Sequence, residues 1–320
     1  MLGDALLVAA GLGLLLLAGD LLVRGAVNAS LRIGVPPLLV GLTVVAFGTS
    51  APELLVTVKA MLAGVPGMAL GNVVGSNIAN VALVLGLPAL IAVMAPQHDR
   101  ETRRGYLTML AATGAFMALC FLGPLSWPHG LVLLAGLAWM LADTWRSARI
   151  HRKGATDPGT LEGADPRLSV WKIGIMLLAG IVGLPIGASL LIDGAVGIAE
   201  TFNVPETVIG LTLVAIGTSL PEVATTVVAA IRREIGVALG NVIGSNLFNL
   251  LGVIGIAALI GPIPVPASVL HVDLWVMLAA ALILVPLIYL GWALTRLWGI
   301  GLTTAYLLYV VALFGNGGYW

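Results

Sequence analysis

Apolar residues run through this chain in long stretches, and the polar residues between them come in short groups. A helix needs about 20 mostly apolar residues to cross the hydrocarbon core of a bilayer. On that measure the sequence predicts ten membrane-spanning helices, at 3–23, 36–62, 68–94, 105–122, 128–146, 170–191, 205–230, 237–261, 272–291 and 297–315. The first stretch has neither a basic leader nor a small-residue cleavage site, so it is expected to be retained as a helix. The longest polar stretch, 147–168, carries the run RIHRKGATDPGTLEGADPR, whose Gly, Pro and mixed charges predict a solvated linker. It divides the chain into a first five-helix half at 1–146 and a second at 169–320.

Composition agrees with that reading. Of 320 residues, 59% are hydrophobic and 9% charged, whereas a soluble domain carries about 25% charged residues. Fifteen basic and fifteen acidic side chains cancel, so no basic surplus points to nucleic acid. The lone Cys120 has no second thiol for a disulfide or a thiolate metal site.

The placement of the charges says more than their sum. Arg24, Arg32, Arg100, Arg103, Arg104, Arg146, Arg149, Arg152, Lys153, Arg167, Lys172, Arg232, Arg233 and Arg296 fall at the odd-numbered connections, and only Lys59 lies on the other side. Lys and Arg concentrate on the cytoplasmic side of membrane proteins. The expected topology therefore has both termini outside, in a multi-pass protein of the cell membrane, inner or plasma.

The two halves are copies. GLTVVAFGTSAPELLVTVKA at 41–60 matches GLTLVAIGTSLPEVATTVVA at 210–229 at 13 of 20 positions, and GNVVGSNIANVALVLGLPAL at 71–90 matches GNVIGSNLFNLLGVIGIAAL at 240–259 at 11 of 20. Both matches share an offset of 169 residues. That offset passes an odd number of spans, so the second copy is expected to enter the membrane from the opposite side. Inverted repeats of this kind characterise many secondary transporters, which bind substrate near the midplane where the repeats meet.

Glu53 and Glu222 are the acidic residues that lie well inside predicted spans at equivalent repeat positions. An ionised side chain at the bilayer centre costs about 2.5–3.5 kcal/mol on insertion scales, and no basic residue lies nearby in sequence to offset it. A bound cation would, and a protonated pair acting as interhelical glue is the plainer alternative. Thr49 and Ser50 precede Glu53 by four and three residues and share its helical face, as Thr218 and Ser219 do for Glu222. Pro52 and Pro221 lack an N–H, so the carbonyls of Gly48 and Gly217 should lose their helical donors. Ser76 and Asn80 share a face in the second block, as do Ser245 and Asn249. Gly71, Gly75, Gly240 and Gly244 are spaced for close helix packing. Asn72, Asn77, Asn241 and Asn246 are equally suited to coordinating an ion and to satisfying broken backbone. Two carboxylates among hydroxyl, amide and carbonyl oxygens make a hard site. Ca2+ takes six to eight oxygens at about 2.3–2.6 Å in irregular geometry, whereas Mg2+ resists dehydration and softer metals prefer Cys or His. The histidines, His98, His129, His151 and His271, lie at connections or span ends.

The blocks GLTVVAFGTSAPE and GNVVGSNIAN, with their second copies, resemble the two alpha-repeats of the sodium/calcium exchanger family, prokaryotic type, within the cation/calcium antiporter superfamily. The resemblance implies an all-α membrane protein of ten helices in two inverted five-helix repeats. It also implies a central Ca2+ site of Glu53, Glu222, Thr49 and Thr218. Flanking Na+ sites would draw on Ser50, Ser76, Ser219 and Ser245 and the carbonyls of Ala46 and Ala215. Asn80 and Asn249 complete the centre. Some relatives carry Asp where this chain has Asn249, which leaves two formal charges rather than three and weakens the case for K+ co-transport.

The expected function is secondary antiport of Ca2+ for Na+ by alternating access, with Ca2+/H+ antiport on the same scaffold as the alternative. A passive channel would need several weak sites in a continuous pore. An enzyme would need a nucleophile–base set that does not accompany the glutamates. No resident cofactor, nucleic acid or obligate protein partner is expected, only the transported ions and the bilayer.

Overall fold

The computed structural model describes residues 2–95, 99–152, 165, 167–202 and 217–315. Its elements are helices: α1 Leu2–Ile33, α2 Pro37–Thr49, α3 Ala51–Leu62, α4 Pro66–Ile91, α5 Arg100–Phe121, α6 Trp127–Arg152, α7 Val170–Thr201, α8 Leu220–Ile231, α9 Ile235–Ile260, α10 Val269–Tyr289 and α11 Arg296–Gly315. Among the described residues, seven of them are long and apolar enough to cross a membrane, or eight if the bent pair α2–α3 counts as one span. The protein is an all-helical, multi-pass membrane protein.

Two expected boundaries move. The first span, expected at 3–23, is a 32-residue helix that continues through Arg24 and Arg32. The expected span stops just before Arg24, but Arg24 is held within the helix by an ion pair to Asp20 at 3.2 Å, and its carbonyl accepts from the Asn28 amide at 2.8 Å. Likewise α6 runs on through Arg152, into the stretch expected as linker. The remainder of that linker, 153–164 and 166, lies outside the described residues, as does the first part of the span expected at 205–230.

Burial sorts the helices into a centre and a periphery. In α4 and α9, 78% and 83% of the most apolar stretch is buried, against 33% in α1, 22% in α7 and 17% in α11. Lipid tails are as apolar as leucine, so helices in a bilayer associate through close packing of small residues rather than through hydrophobic burial. Two glycine seams show this. Along α1 and α7, a Cβ on Gly11 would lie 2.5 Å from the Leu191 nitrogen, and one on Gly194 would lie 2.5 Å from the Asp4 carbonyl oxygen. Along α2 and α9, a Cβ on Gly240 would lie 2.4 Å from the Leu38 carbonyl oxygen, and one on Gly244 would lie 2.5 Å from that of Leu42. The spacing of Gly240 and Gly244 therefore does what packing glycines do. Nothing described lies within 4 Å of a Cβ on Gly75.

Several contacts occur twice, exchanged by the 169-residue offset. Met94 and Leu294 trade backbone hydrogen bonds of 3.0 and 2.9 Å, and their repeat counterparts, Ile263 and Leu125, trade bonds of 2.8 and 2.9 Å. Both pairs join one half of the chain to the other. The turn after α3 passes through Gly64 at φ +74°, and the turn after α8 passes through its counterpart Arg233 at φ 59°. The same left-handed position is thus occupied by glycine in one copy and by arginine in the other.

Candidate ion-binding site

The site begins with a break in a helix. Between α2 and α3 the axis bends by 43° at Ser50, whose φ −84° and ψ 6° leave the α-helical region. Ser219, before α8, has nearly the same conformation at φ −88° and ψ 0°. Pro52 and Pro221 fall in the first turn of the helix that follows, where a missing N–H does no harm. Non-helical backbone at membrane depth is tolerated where protein or a cavity receives it. Each break also places a glutamate in the first turn of the next helix, where the positive end of the helix dipole favours a carboxylate.

Glu53 and Glu222 are each 0% exposed and lie close enough for their charges to interact. Ser50 donates a hydrogen bond of 3.2 Å to Glu222 Oε1, across from one half of the chain to the other. The hydroxyls of Thr49 and Ser245 also face the Glu222 carboxylate. Thr49 Oγ1 lies 3.1 Å from Asn241 Oδ1, 3.3 Å from the Ala46 carbonyl oxygen and 3.5 Å from Ser245 Oγ. The Ala46 carbonyl also receives the Ser50 N–H at 3.0 Å. Asn80 donates to Asn246 Oδ1 at 3.2 Å. Ser76 is buried one turn before Asn80 on α4.

The other half of the arrangement has no such partners. Both oxygens of Glu53, Glu222 Oε2, Thr218 Oγ1, Ser219 Oγ, Asn80 Oδ1 and both polar atoms of Asn249 are buried without a hydrogen bond among the described residues. Eight of the ten such side-chain atoms among the described residues belong to this one cluster, the other two being on Ser30 and Thr303. Leaving a buried polar group unpaired costs about 1–3 kcal/mol, and more for a charge. Concentrating them in one place is what a site built around a missing partner looks like. Neither glutamate has a basic partner among the described residues, so cations or protons must supply the compensation. Among the described residues there is no group of three or more His, Cys, Asp and Glu, so the carboxylates are supplemented by neutral oxygens.

Asn249 lies on a π-helical stretch, Phe248–Val253, that interrupts α9, whereas its counterpart Asn80 is on regular α-helix. Such π-turns recur at functional sites because the wider turn re-aims a side chain. Another π-helical stretch, Gly41–Val45, lies just ahead of the Ser50 break.

The structure brings together Thr49, Ser50, Glu222 and Ser245 directly, and ties Asn80 to Asn246, the residue after Ser245 on α9, whose amide in turn donates to Met109 Sδ at 3.5 Å. Ala215 lies outside the described residues. The structure also answers what the second asparagines do. Asn72 donates to the Glu53 carbonyl at 3.2 Å and to Thr57 Oγ1 at 3.0 Å; Asn241 donates to Thr226 Oγ1 at 3.1 Å. These are matching braces between consecutive helices of each repeat, and Asn241 also accepts from Thr49. Asn77 donates to the Val73 carbonyl at 2.7 Å. Thr57 and Thr226 were not singled out from sequence, although they are identical between the copies and stand 15 residues before Asn72 and Asn241.

Comparison with known proteins follows the same lines. The sequence profile described as sodium/calcium exchanger protein matches residues 4–142 and 172–315. The chain is 33% identical to the sodium/calcium exchanger MaX1 of Methanosarcina acetivorans, covering 97% of this chain and 98% of that protein. It is 36% identical to the putative antiporter CaxA of Alkalimonas amylolytica, covering 89% of each. A solved structure of the sodium-calcium exchanger NCX_Mj, soaked with Na+ and Sr2+, superposes with a TM-score of 0.83 at 31% identity, over 97% of this chain and 98% of that one. With matching profile, full-length relatives and shared fold in agreement, the chain belongs to the sodium/calcium exchanger protein family.

Proposed function

We propose that this protein exchanges Ca2+ for Na+ across the cell membrane by alternating access. The observation that carries the reading is the cluster of unpartnered buried oxygens around Glu53 and Glu222. Ca2+ takes Glu53, Glu222, Thr49 and Thr218. Na+ takes neighbouring positions formed by Ser50, Ser76, Ser219 and Ser245 and the carbonyls of Ala46 and Ala215, and Asn80 and Asn249 close the centre. One Ca2+ neutralises the two carboxylates, and so do Na+ ions at flanking positions. The two loads share the same charges, so one leaves as the other enters.

The scaffold for this exchange is ten spans in two inverted five-helix repeats joined by a cytoplasmic connection that begins after α6, with both termini outside. The paired bridges Met94–Leu294 and Leu125–Ile263 and the duplicated asparagine braces support the repeat. The placement of the basic residues supports the orientation. The glycine seam makes α1 and α7 a pair that slides against the central helices to open the site to one side at a time.

The test is Ca2+ uptake into everted membrane vesicles with an imposed Na+ gradient, an imposed proton gradient, or neither. Uptake driven by the Na+ gradient alone is expected. Uptake driven by protons alone would replace Na+ with H+ at the same carboxylates, and channel-like flux independent of both gradients would overturn antiport.

A further inference from the structure

The repeat is closely matched in fold but not in charge at one contact. The 169-residue offset extends back into the first helix of each half, pairing LLVRGAV at 21–27 with LLIDGAV at 190–196. Under that pairing Asp20 corresponds to Ser189, Arg24 to Asp193, and Arg232 to Ala63. In the structure Arg232, the residue that ends the Glu222 helix, forms an ion pair with Asp20 of α1 across 212 positions of sequence. Arg24 shares the same carboxylate. The side chains of Asp20 and Arg232 are 28% and 24% exposed, so the pair is largely shielded from solvent screening. Its counterpart in the other copy forms no such link among the described residues: Ser189 Oγ turns to Asp193 at 3.5 Å, and Ala63 offers only a methyl group.

Helix packing has the same one-sidedness. α1 lies along α8, close enough that a Cβ on Gly19 would be 3.3 Å from the Ala224 carbonyl oxygen. The corresponding approach of α7 to α3 is all but absent. In an inverted repeat the two end states exchange the conformations of the halves. The α1–α8 contact formed here is therefore the one released in the other state, when α7 closes on α3. Moving α1 by one helical turn, about 5.4 Å, separates Asp20 from Arg232.

The geometry points to Asp20 and Arg232 as a latch present on one face only, which holds the transporter closed toward the cytoplasm and thereby sets its apparent affinity for ions on each side. This rests on the alternating-access reading and on the orientation given above. An ion pair that forms in one state and has no equivalent in the other shifts their populations, and apparent affinity falls on the side whose binding-competent state is depleted.

The experiment measures half-saturating Ca2+ separately at each face, in right-side-out and everted vesicles, for the wild type, Asp20→Asn, Arg232→Gln and the double variant. Each single change is expected to lower the half-saturating concentration at the cytoplasmic face about threefold and raise it at the outer face, with the double variant no different from either single one. Equal shifts at both faces, no shift, or additive shifts would overturn the latch. A second readout does not depend on which ion is carried. Val228, buried beneath Gly19 one turn before Arg232, is replaced by cysteine in a Cys120→Ser background and labelled with a membrane-impermeant maleimide from the cytoplasmic face. Labelling is expected to speed up in the Asp20→Asn protein, and unchanged labelling overturns the latch. A wild type without saturable Ca2+ uptake refutes the exchange reading instead, and the labelling still decides the latch.

Discussion

Ser50 donates its hydroxyl proton to Glu222 at 3.2 Å, while the hydroxyl of Ser219, its repeat counterpart at the equivalent break, is buried with no hydrogen-bond partner among the described residues. The two serines occupy equivalent positions in duplicated sequence and near-identical backbone conformations. What separates them is that only Ser50 meets a carboxylate. Glu222 is held by a hydroxyl from the other half of the chain, and both oxygens of Glu53 are left unsatisfied.

That difference predicts opposite effects on stability when no transported ion is present. Ser50→Ala removes the donor and leaves Glu222 Oε1 unpaired in a buried site, a loss of about 1–3 kcal/mol. Ser219→Ala removes a hydroxyl that contributes no hydrogen bond, so it should be close to neutral. Thermal unfolding of both variants in detergent, in chelator and without Na+, checks this. Equal losses would mean that Ser219 has a partner equivalent to that of Ser50.

The carboxylates themselves should separate folding from ion binding. Glu53→Gln and Glu222→Gln keep the side-chain volume and remove the charge. Both proteins are expected to fold and to lose Ca2+ transport. A ligand that binds only the folded state stabilises it by RT ln(1 + [L]/Kd), about 2.7 kcal/mol at a hundredfold excess over Kd. The rise in melting temperature that Ca2+ gives the wild type should therefore vanish in either variant. A Glu53→Gln protein that keeps both transport and the Ca2+-dependent shift would remove Glu53 from the site.

Much of this centre was legible in the sequence. A polar residue inside an apolar helix stands out against its surroundings, and its recurrence at a fixed offset marks Thr49, Ser50, Glu53, Ser76 and Asn80 with their copies. The prolines marked the breaks as well. Other features were not legible, for identifiable reasons. An asparagine offers donors and an acceptor whether it ligates an ion or braces a helix, so it is the packing of Thr57 and Thr226 against Asn72 and Asn241, not the residue type, that makes them braces. The pairing of Arg24 with Asp20 one turn earlier lets α1 continue past the arginine where the expected span ends. The approach of Asp20 to Arg232 is a tertiary contact between residues that local pattern does not connect.

The seam between α2 and α9 sets a steric requirement. Gly240→Ala would place a methyl 2.4 Å from the Leu38 carbonyl oxygen, which is backbone and cannot turn aside. Overpacking of this kind costs about 1–3 kcal/mol even where side chains can adjust, and here two helices would have to separate. Gly114→Ala is the control: its Cβ meets nothing within 4 Å on exposed α5 surface. Removing a helical glycine there should be neutral or stabilising by up to about 1 kcal/mol. The yield of monodisperse protein after detergent extraction should fall sharply for the first variant and hold for the second.

The sharpest test of the site concerns Asn249, which is 0% exposed, lies on the π-helical stretch of α9 and has no partner for either polar atom. Asn249→Asp changes one atom's chemistry and almost no volume. It raises the formal negative charge of the cluster from two to three, so one Ca2+ no longer neutralises it and an additional monovalent cation is drawn in. Paired measurements of Na+ and Ca2+ flux are expected to show more Na+ moved per Ca2+, or a stimulation by K+ that the wild type lacks. Thr303→Asp, at a buried hydroxyl without a hydrogen-bond partner among the described residues that packs beside Gly86, adds a carboxylate on α11 instead. It should lower stability without altering the flux ratio. If Asn249→Asp leaves the ratio and the response to K+ unchanged in a folded protein, then Asn249 does not contact the ions, and its lack of partners reflects packing around the π-turn alone.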